Sequence, residues 1–327
     1  PPPNLIGAAR AAAQLALARM HRRRPARPHN PAAPQRTVQT VTAPTFRWEA
    51  SLAAACELQC PARPANPPSR AALAGVARGN QGWVSNFATL PASTSAPCPI
   101  PAATSPPTAS TVTQLAVACC DSISAAIALH QRAAAAGVAV TPAVLNFANA
   151  FDAGGGYLNG ARAQEEDLCR CVPALYPALR LLQYPLSAAL VPPITTAAIT
   201  RLPILFTALN LHTPIAVITA AAPNGNPDPR LQGFTPTQGT AYETDMRSRI
   251  RAVLFAAHLA GCRHLVLGAW GCGVFRNPPA TVARLFADVL GSPEWRSQFD
   301  TVVFAILGSP SGATVSAFRR HLDVLTR

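Results

Sequence analysis

The chain has 327 residues, of which 49% are hydrophobic and only 13% are charged; this balance argues against an intrinsically disordered protein and is typical of a globular protein with a sizeable core. Its formal net charge is +13 and all 27 basic residues are arginine, which excludes the lysine-bearing phosphate loop of Walker-type nucleotide hydrolases. Pro185, Pro192 and Pro193 interrupt the longest uncharged stretch, residues 181–200, so we expect no membrane-spanning helix.

The first third of the chain is rich in proline and arginine and has no acidic residue before Glu49. We predict a helix over Asn4–Met20, an exposed connection over residues 22–44, a short helix over Trp48–Glu57 and a long irregular segment over Cys60–Pro107. The arginines of the connection would attract a polyanion, but a solvated basic segment or a compositional bias explains them as well. Because the chain starts without methionine, we expect the natural N-terminus to lie upstream.

The nine cysteines are odd in number and irregularly spaced. This argues against a disulfide framework and favours a reducing, intracellular compartment, either the cytoplasm or a nucleus. Cys169 and Cys171 form a CxC pair, and Cys56 and Cys60 a CxxxC pair, but neither has a partner pair at the spacing of a zinc site. We therefore expect no metal, and nothing in the sequence indicates another cofactor.

From residue 108 onward, short apolar runs rich in β-branched residues alternate with helical segments. Strands are predicted over Thr111–Ala118, Ala143–Asn149, Pro214–Ala222, His264–Trp270 and Val302–Gly308. Helices are predicted over Asp121–Gly137, Gln164–Leu182, Tyr242–Gly261, Pro279–Leu290 and Ala313–Leu325, the first with Asp121 as its N-cap and Gly137 at its end. The alternation predicts an α/β domain over residues 108–327 with a largely parallel or mixed central sheet, preceded by an extension over residues 1–107.

Three predicted strands end in loops that suit ligand binding, because the carboxyl ends of such strands share one edge of the sheet. The first loop contains Gly154-Gly155-Gly156, followed after seven residues by Gln164-Glu165-Glu166. The second is the segment Val217–Asn224, and the third contains Gly271-Cys272-Gly273-Val274-Phe275. Glycines let the backbone approach a ligand closely, and their N–H groups can point at phosphate. Two such loops are expected to suit a diphosphate.

Glu165 and Glu166 lie at the predicted start of a helix, where the helix dipole favours ionised carboxylates. Adjacent helical residues diverge by about 100°, so the two are not expected to form the facing pair of ordinary glycosidases. We predict instead that one carboxylate faces the ligand and the other organises its surroundings. An acidic pair that only decorates a helix N-terminus remains the alternative.

The GGG sequence, seven intervening residues and QEE resemble the signature of poly(ADP-ribose) glycohydrolases. The stretch 146–150 (NFANA) and the later LGAWGCGVF resemble the bacterial-type branch of that family. The resemblance covers roughly residues 111–325, is poor over Leu181–Thr213, and implies a macrodomain-like, three-layer α/β/α fold with a mixed sheet. It also implies a role in reversing ADP-ribosylation during the response to DNA damage.

The resemblance implies roles for individual residues. Glu166 matches the catalytic glutamate, Glu165 a neighbour that binds ribose and shapes the loop, and Asn149 the asparagine that holds the scissile ribose. The remaining matched positions are substrate-binding: Gly154, Gly155, Gly156 and Gln164 in the catalytic loop, Ala222 in a segment lining the pocket, Gly271, Cys272, Gly273 and Val274 in the diphosphate loop, and Phe275 as an aromatic beside the ribose.

The implied reaction is hydrolysis of the ribose–ribose O-glycosidic bond, with Glu166 first donating a proton to the leaving oxygen and then activating a water. Cleavage from the polymer end is expected, with poly(ADP-ribose) or ADP-ribosylated protein as partner and ADP-ribose as product. Two alternatives remain: a hydrolase for mono-ADP-ribose on protein side chains, and a module that binds ADP-ribose without turnover. Direct nucleic-acid binding is not expected, since no binding motif supports it.

Overall fold

The computed structural model describes residues 46–60, 66–87, 112–182, 184–186, 198–206, 211–226 and 239–327, and it describes no side chain at 83–87, 198–206, 211–214 and 259. The helix predicted over Asn4–Met20 and the connection after it lie outside these residues. No helix within the described ranges is long and apolar enough to cross a membrane.

The strands of the described residues form a single seven-stranded sheet. Its strands are β1 (Phe46–Trp48), β2 (Thr113–Ala118), β3 (Ala143–Phe147), β4 (Ala198–Phe206), β5 (Leu211–Ala220), β6 (His264–Gly268) and β7 (Thr301–Ala305). They are ordered β1-β2-β7-β6-β3-β5-β4. All neighbours pair in parallel except β4, which runs antiparallel to β5 at the edge. The mixed sheet that the sequence predicts is therefore confirmed.

Helices cover both faces of this sheet. The α-helices of the described residues are α1 (Ala50–Gln59), α2 (Arg70–Phe87), α3 (Ser122–Ala135), α4 (Gln164–Cys171), α5 (Leu175–Leu179), α6 (Thr240–Leu259), α7 (Pro279–Leu290) and α8 (Ala313–Leu322). Helices α6, α7 and α8 enclose one core, and α1 to α5 enclose the other. This is the predicted three-layer α/β/α architecture.

Alternating residues of the central strands supply the two cores. Leu267 and Phe304 point into the core beneath α6 to α8, and their neighbours Val266 and Val303 point into the core beneath α1 to α5. Successive strand residues face opposite sides of a sheet, so a strand covered on both sides must be apolar at every position. This requirement explains why the strands are continuous apolar runs.

The predicted helix caps are present. The Asp121 carboxylate accepts hydrogen bonds from the Ser124 N–H (2.8 Å) and the Ser124 hydroxyl (2.6 Å) at the start of α3. Gly137, with φ +73°, lies just beyond the end of this helix in the left-handed conformation that glycine tolerates. Local sequence therefore fixes both ends of α3.

Two predictions of local structure are wrong. The segment Cys60–Pro107 is not irregular throughout, because Arg70–Phe87 forms α2. Gly75, Gly79 and Gly82 lower the helix propensity of this stretch, although its alanines, leucine and arginines favour a helix. The helix predicted over Gln164–Leu182 ends at Cys171, since Val172 precedes a proline and adopts an extended φ of −124°.

Two strands lie where none was predicted. β1 has only three residues, and β4 occupies part of the stretch Leu181–Thr213 that matches the family poorly. The division of the chain at residue 108 stays a prediction. β1, α1 and α2 precede that point and contribute to the same sheet and cores.

Substituting Phe304 with alanine should remove an aromatic ring that contacts two others in the core beneath α6 to α8. Its ring is fully buried, with centroids 5.2 Å from Phe286 and 5.5 Å from Phe318. We expect Phe304→Ala to lower the free energy of unfolding by about 4 kcal/mol, measured by urea denaturation. Leu58→Ala, at a side chain that is 83% exposed, is the control and should change it by less than about 0.5 kcal/mol. Equal losses in the two variants would contradict this packing.

Candidate active site

A cleft of about 830 Å³ crosses the carboxyl ends of the strands. It begins at Cys120–Ser124 after β2, passes Ala305–Leu307 after β7 and Ala269–Phe275 after β6, and reaches Phe147 at the end of β3. Its volume lies in the range of small-molecule and cofactor sites, and its position is where α/β sheets bind ligands. The cleft is therefore the candidate binding site.

Helix α4 divides its residues between this cleft and the end of β3. Gln164, Asp167, Leu168 and Cys171 line the cleft, as expected for residues spaced by three and four on one helical face. Glu165 and Glu166 lie on another face of the helix, and their exposed fractions are only 2% and 6%. The prediction that adjacent glutamates diverge around the helix agrees with this arrangement.

Gln164 attaches the first turn of α4 to strand β3. Its Oε1 accepts a hydrogen bond from the Phe147 N–H (2.8 Å), and its Nε2 donates to the Leu145 carbonyl (2.8 Å) and to the Ser122 hydroxyl (3.1 Å). The side-chain amide thus completes the backbone pairing of β3 where the neighbouring strand stops. Its polar atoms are engaged within the protein, so the geometry favours a positioning role over direct substrate contact.

Glu165 is held by donors from the end of β3. Its Oε2 accepts from the Asn149 N–H (2.8 Å) and its Oε1 from Asn146 Nδ2 (3.3 Å). Burial, reinforced by the neighbouring charge of Glu166, raises the pKa of the Glu165 carboxyl to about 8, although the hydrogen bonds from Asn149 and Asn146 oppose the rise. Burial therefore favours the neutral form of the Glu165 carboxyl.

Glu166 is held at one oxygen and unpaired at the other. Its Oε1 accepts a hydrogen bond from the Gly156 N–H (2.9 Å). Its Oε2 is buried and has no hydrogen-bond partner among the described residues. Buried polar atoms are nearly always paired in folded proteins, so an unpaired one is a candidate for contact with a ligand.

The Gly154–Gly156 loop lies directly over the two carboxylates. Gly155 has φ +54°, and a Cβ there would lie 2.7 Å from Glu166 Oε1 and 3.2 Å from Glu165 Oε2. Only glycine fits both the conformation and the space. The Gly155 N–H donates to the Asp152 carbonyl (3.0 Å), and that of Gly156 to Glu166. The interpretation of this loop as a phosphate cradle is therefore wrong for these two N–H groups, which are engaged within the protein.

Helix α2, which the sequence did not predict, supports this loop from behind. Asn80 Nδ2 donates to the Tyr157 hydroxyl (3.1 Å), just after the glycines, and to the Arg170 carbonyl (3.1 Å) in α4. Gly160 has φ +71°, and a Cβ there would collide with the Arg70 carbonyl. The loop and α4 are thus fastened to the same outer helix.

Asn149 uses its side-chain oxygen to turn the chain after β3. Asn149 Oδ1 accepts from the N–H groups of Phe151 (2.8 Å) and Asp152 (3.0 Å), an Asx-turn. Its backbone N–H is bound to Glu165. The part of Asn149 that can reach a ligand is therefore its amide nitrogen.

The loop that follows β6 presents free backbone donors to the cleft. The N–H groups of Gly273, Val274 and Phe275 donate to no other group among the described residues. All three residues line the cleft, and a Cβ on Gly273 would meet nothing within 4 Å. Successive free N–H groups form an anion-binding concavity. This loop, more than the GGG loop, has the features of a phosphate site.

Buried Asn277 holds this loop in place. Its Nδ2 donates to the Pro223 carbonyl (2.7 Å) and the Gly271 carbonyl (3.0 Å). Gly271, with φ +74°, leaves no room for a Cβ, which would collide with Asn277 and lie 2.8 Å from the Ala222 Cβ. The predicted site residue Ala222 therefore packs under the loop as part of its support.

The segment after β5 is fixed from the opposite side. Arg249 in α6 is 8% exposed; it donates through Nη1 to the Ala221 carbonyl (2.8 Å) and through Nε to the Asp245 carboxylate (3.0 Å). Asn226 Nδ2 donates to the Val274 carbonyl (2.6 Å), and the Gly225 N–H donates to the Phe275 carbonyl (2.8 Å). These contacts join the loops after β5 and β6 into one support.

The predicted site residues fall into two neighbouring groups. Within the part of the chain that the structure describes, the cleft wall includes Gln164 and Gly271–Phe275, whereas Asn149, Gly154–Gly156, Ala222 and the two glutamates lie beside it. Sequence reasoning missed Asn146, Asn277 and Arg249. The only signal for Asn146 and Asn277 is that each is a polar residue in a strand or loop of the site, and Arg249, in the middle of α6, has no such signal. The described residues contain no group of three or more side chains suited to a metal ion.

The chain is similar in sequence and fold to several known proteins. A family model for the catalytic domain of microbial-type PARG matches residues 84–187. Poly(ADP-ribose) glycohydrolase from Deinococcus radiodurans in complex with ADP-ribose is 37% identical, over 65% of this chain and 85% of that chain, with a TM-score of 0.54. Its apo form is 35% identical, over 66% and 84%, with a TM-score of 0.51.

The poly(ADP-ribose) glycohydrolase from Thermomonospora curvata is 28% identical, over 83% of this chain and 97% of that chain, with a TM-score of 0.51. The comparison with curated proteins gave no match. Sequence identity of 37% that spans 85% of the Deinococcus enzyme, on the same fold, shows that the chain belongs to the bacterial poly(ADP-ribose) glycohydrolase family.

Proposed function

We propose that this protein hydrolyses the ribose–ribose O-glycosidic bonds of poly(ADP-ribose), free or attached to protein, and releases ADP-ribose with Glu166 as its general acid and base. The observation that carries the proposal is the Glu166 carboxyl, fixed at Oε1 by the Gly156 N–H and unpaired at a buried Oε2, beside a cleft of nucleotide size. Membership of the family supports the reaction. Cleavage from the polymer end rests on the resemblance to bacterial-type enzymes.

The cleft gives the substrate a direction. In the proposed complex the scissile ribose lies at the β3 end, next to Glu166 and the Asn149 amide. The free N–H groups of Gly273–Phe275 suit the diphosphate. The adenosine then extends toward the β2 end, where Ile123 and Ile127 supply an apolar wall. The Deinococcus relative was solved in complex with ADP-ribose, which supports a ligand of this length.

Catalysis needs proton transfer at a single carboxyl group. The protonated Glu166 donates its proton to the leaving ribose oxygen while positive charge develops on the scissile ribose. The diphosphate, held nearby by backbone N–H groups, places negative charge where it stabilises that cation. The Glu166 carboxylate then accepts a proton from the attacking water, which restores the starting state.

Glu165 supports this step through its own charge state. Burial raises the pKa of its carboxyl to about 8 and so favours the neutral form. A neutral Glu165 avoids a second negative charge beside Glu166 and the diphosphate. Its hydrogen bonds with Asn146 and the Asn149 N–H keep the turn after β3 in position.

Substituting Glu166 with glutamine should separate binding from turnover. The variant keeps the size of the side chain but cannot exchange the proton. We expect ADP-ribose release from automodified polymerase to fall by at least about 100-fold, while ADP-ribose binding, measured by calorimetry, changes little. Leu58→Ala is the control and should behave like wild type. Release from mono-ADP-ribosylated protein but not from polymer would contradict the proposed substrate, and tight binding without any release would identify a binding module.

Substituting Asn277 with alanine should weaken ligand binding more than it slows turnover. The Pro223 and Gly271 carbonyls lose their shared donor, so the loop with the free N–H groups is held less firmly. We expect the Kd for ADP-ribose to rise about tenfold, with kcat at saturating polymer within about twofold of wild type. Unchanged ADP-ribose affinity in a folded variant would show that Asn277 does not position the phosphate loop.

Substituting Glu165 with glutamine should change how stability depends on pH. A carboxyl with a folded-state pKa near 8 and an unfolded value near 4.5 binds more protons when folded. Its contribution is therefore fully present below pH 4.5 and is lost as the pH rises toward 8. We expect the unfolding free energy of wild type, relative to that of Glu165→Gln, to fall by up to about 1.4 kcal/mol per pH unit in this window. Parallel stability curves for the two proteins would contradict the raised pKa.

A further inference from the structure

A second cavity, of about 530 Å³, lies between the edge strand β1, the start of α1 and the end of α8. Its charged and aromatic walls come from Trp48, Glu49, Arg319, Arg320, Asp323 and Arg327. We call the surface formed by Trp48, Arg319, Arg320 and Arg327 the basic groove. None of these residues belongs to the site described above.

Two of the three arginines of the basic groove, Arg319 and Arg320, form no ion pair with an acid among the described residues, whereas Arg327 is paired with Asp323. On α6 and α7 the arginines are matched by acids, with pairs such as Arg247–Asp288 and Arg251–Glu294. In the groove, Arg320 is exposed and has no hydrogen-bond or ion-pair partner among the described residues. Arg319 donates to a neutral carbonyl, that of Pro310 (3.2 Å).

The acids at the groove are already engaged. Asp323 accepts from Trp48 Nε1 (3.0 Å) and also pairs with Arg327. Glu49 accepts from the Ser51 hydroxyl (2.7 Å) and pairs with Arg47 (3.4 Å). The groove therefore keeps an excess of positive charge with donors free to bind an anion.

The basic groove adjoins the β2 end of the active-site cleft. Pro310, the acceptor for Arg319, follows Leu307 of the cleft wall by three residues. Burial raises the pKa of Cys119, and the Arg319 guanidinium opposes the rise, so Arg319 lies within electrostatic reach of the residue preceding Cys120 of the cleft wall. A polyanion at the cleft is thus close enough to reach the groove with another of its segments.

We propose that the basic groove binds the diphosphate of a further ADP-ribose unit of the same polymer, as a tethering site separate from the catalytic cleft. This inference rests on the proposed function, because it takes poly(ADP-ribose) as the ligand. Each unit of the polymer carries a diphosphate, and guanidinium groups bind phosphate through paired, charge-assisted hydrogen bonds. Holding a remote unit raises the effective concentration of cleavable bonds at Glu166 without any new contact in the cleft.

Chain length separates tethering from catalysis. The test variant is Arg320→Ala/Arg327→Ala, at two exposed side chains. The matched control is Arg247→Ala/Arg251→Ala, which removes the same number of charges from α6. Initial rates are measured on long polymer and on the ADP-ribose dimer, and binding of monomeric ADP-ribose is measured by calorimetry.

For the test variant we expect the KM on long polymer to rise about fivefold. Its KM on the dimer and its affinity for ADP-ribose should equal those of wild type. The KM on long polymer should also increase more steeply with salt for wild type than for the test variant. The reason is that the variant has fewer phosphate contacts that salt can weaken. The control should match wild type on both substrates. An unchanged KM on long polymer, or an equal rise in the control, would overturn the proposal.

A binding measurement keeps the groove testable if the proposed function fails. Long polymer is bound to Glu166→Gln protein with and without the two groove substitutions. If wild type hydrolyses no substrate but groove substitutions still weaken polymer binding, the proposed function fails and the tethering site stands. If the substitutions weaken binding of single-stranded DNA and leave polymer binding unchanged, the groove belongs to nucleic acid and the proposal is wrong.

Discussion

Two adjacent carboxyl groups are buried at the end of a central strand, and most of the site is arranged around them. Removing a carboxylate from water is costly unless donors or a proton compensate it. Glu165 is compensated by its raised pKa and by donors from Asn146 and Asn149, whereas Glu166 has a single backbone donor. This difference is consistent with the reactive role proposed for Glu166. Glu165, the glycine loop and Gln164 hold its surroundings in shape.

The two glycine-rich loops have different physical tasks. Gly155 gives the backbone room to cover both carboxyl groups, and the N–H of Gly156 is directed at Glu166. The loop after β6 keeps the N–H groups of Gly273–Phe275 free and is held at its base by Asn277. One loop thus holds the carboxyl proposed as the catalytic acid, and the other offers N–H dipoles to an anion. The carboxyl groups and the anion-binding N–H groups therefore lie at different positions along one edge of the sheet.

The sequence predicts the central strands because burial on both faces demands continuous apolar runs, as at Val303 and Phe304. It predicts the placement of the two glutamates beside the glycine loop, because strand ends of a parallel sheet share one edge. It does not predict β1, whose three residues carry no periodic signal, or α2, whose glycines weaken its helix propensity. The pairing of Asn277 with Pro223 could not be predicted either, since their separation in sequence is bridged only by the fold.

Helix α4 is barely two turns long and serves two surfaces at once. Leu168 and Cys171 form part of the cleft wall, and Glu165 and Glu166 project from the same rigid backbone toward the glycine loop. A compound that fills the cleft beside Leu168 and Cys171 therefore contacts the helix that carries the proposed acid, even if it never contacts Glu166 itself. Inhibitors that displace this helix would act on the proposed proton donor without contacting the loop after β6.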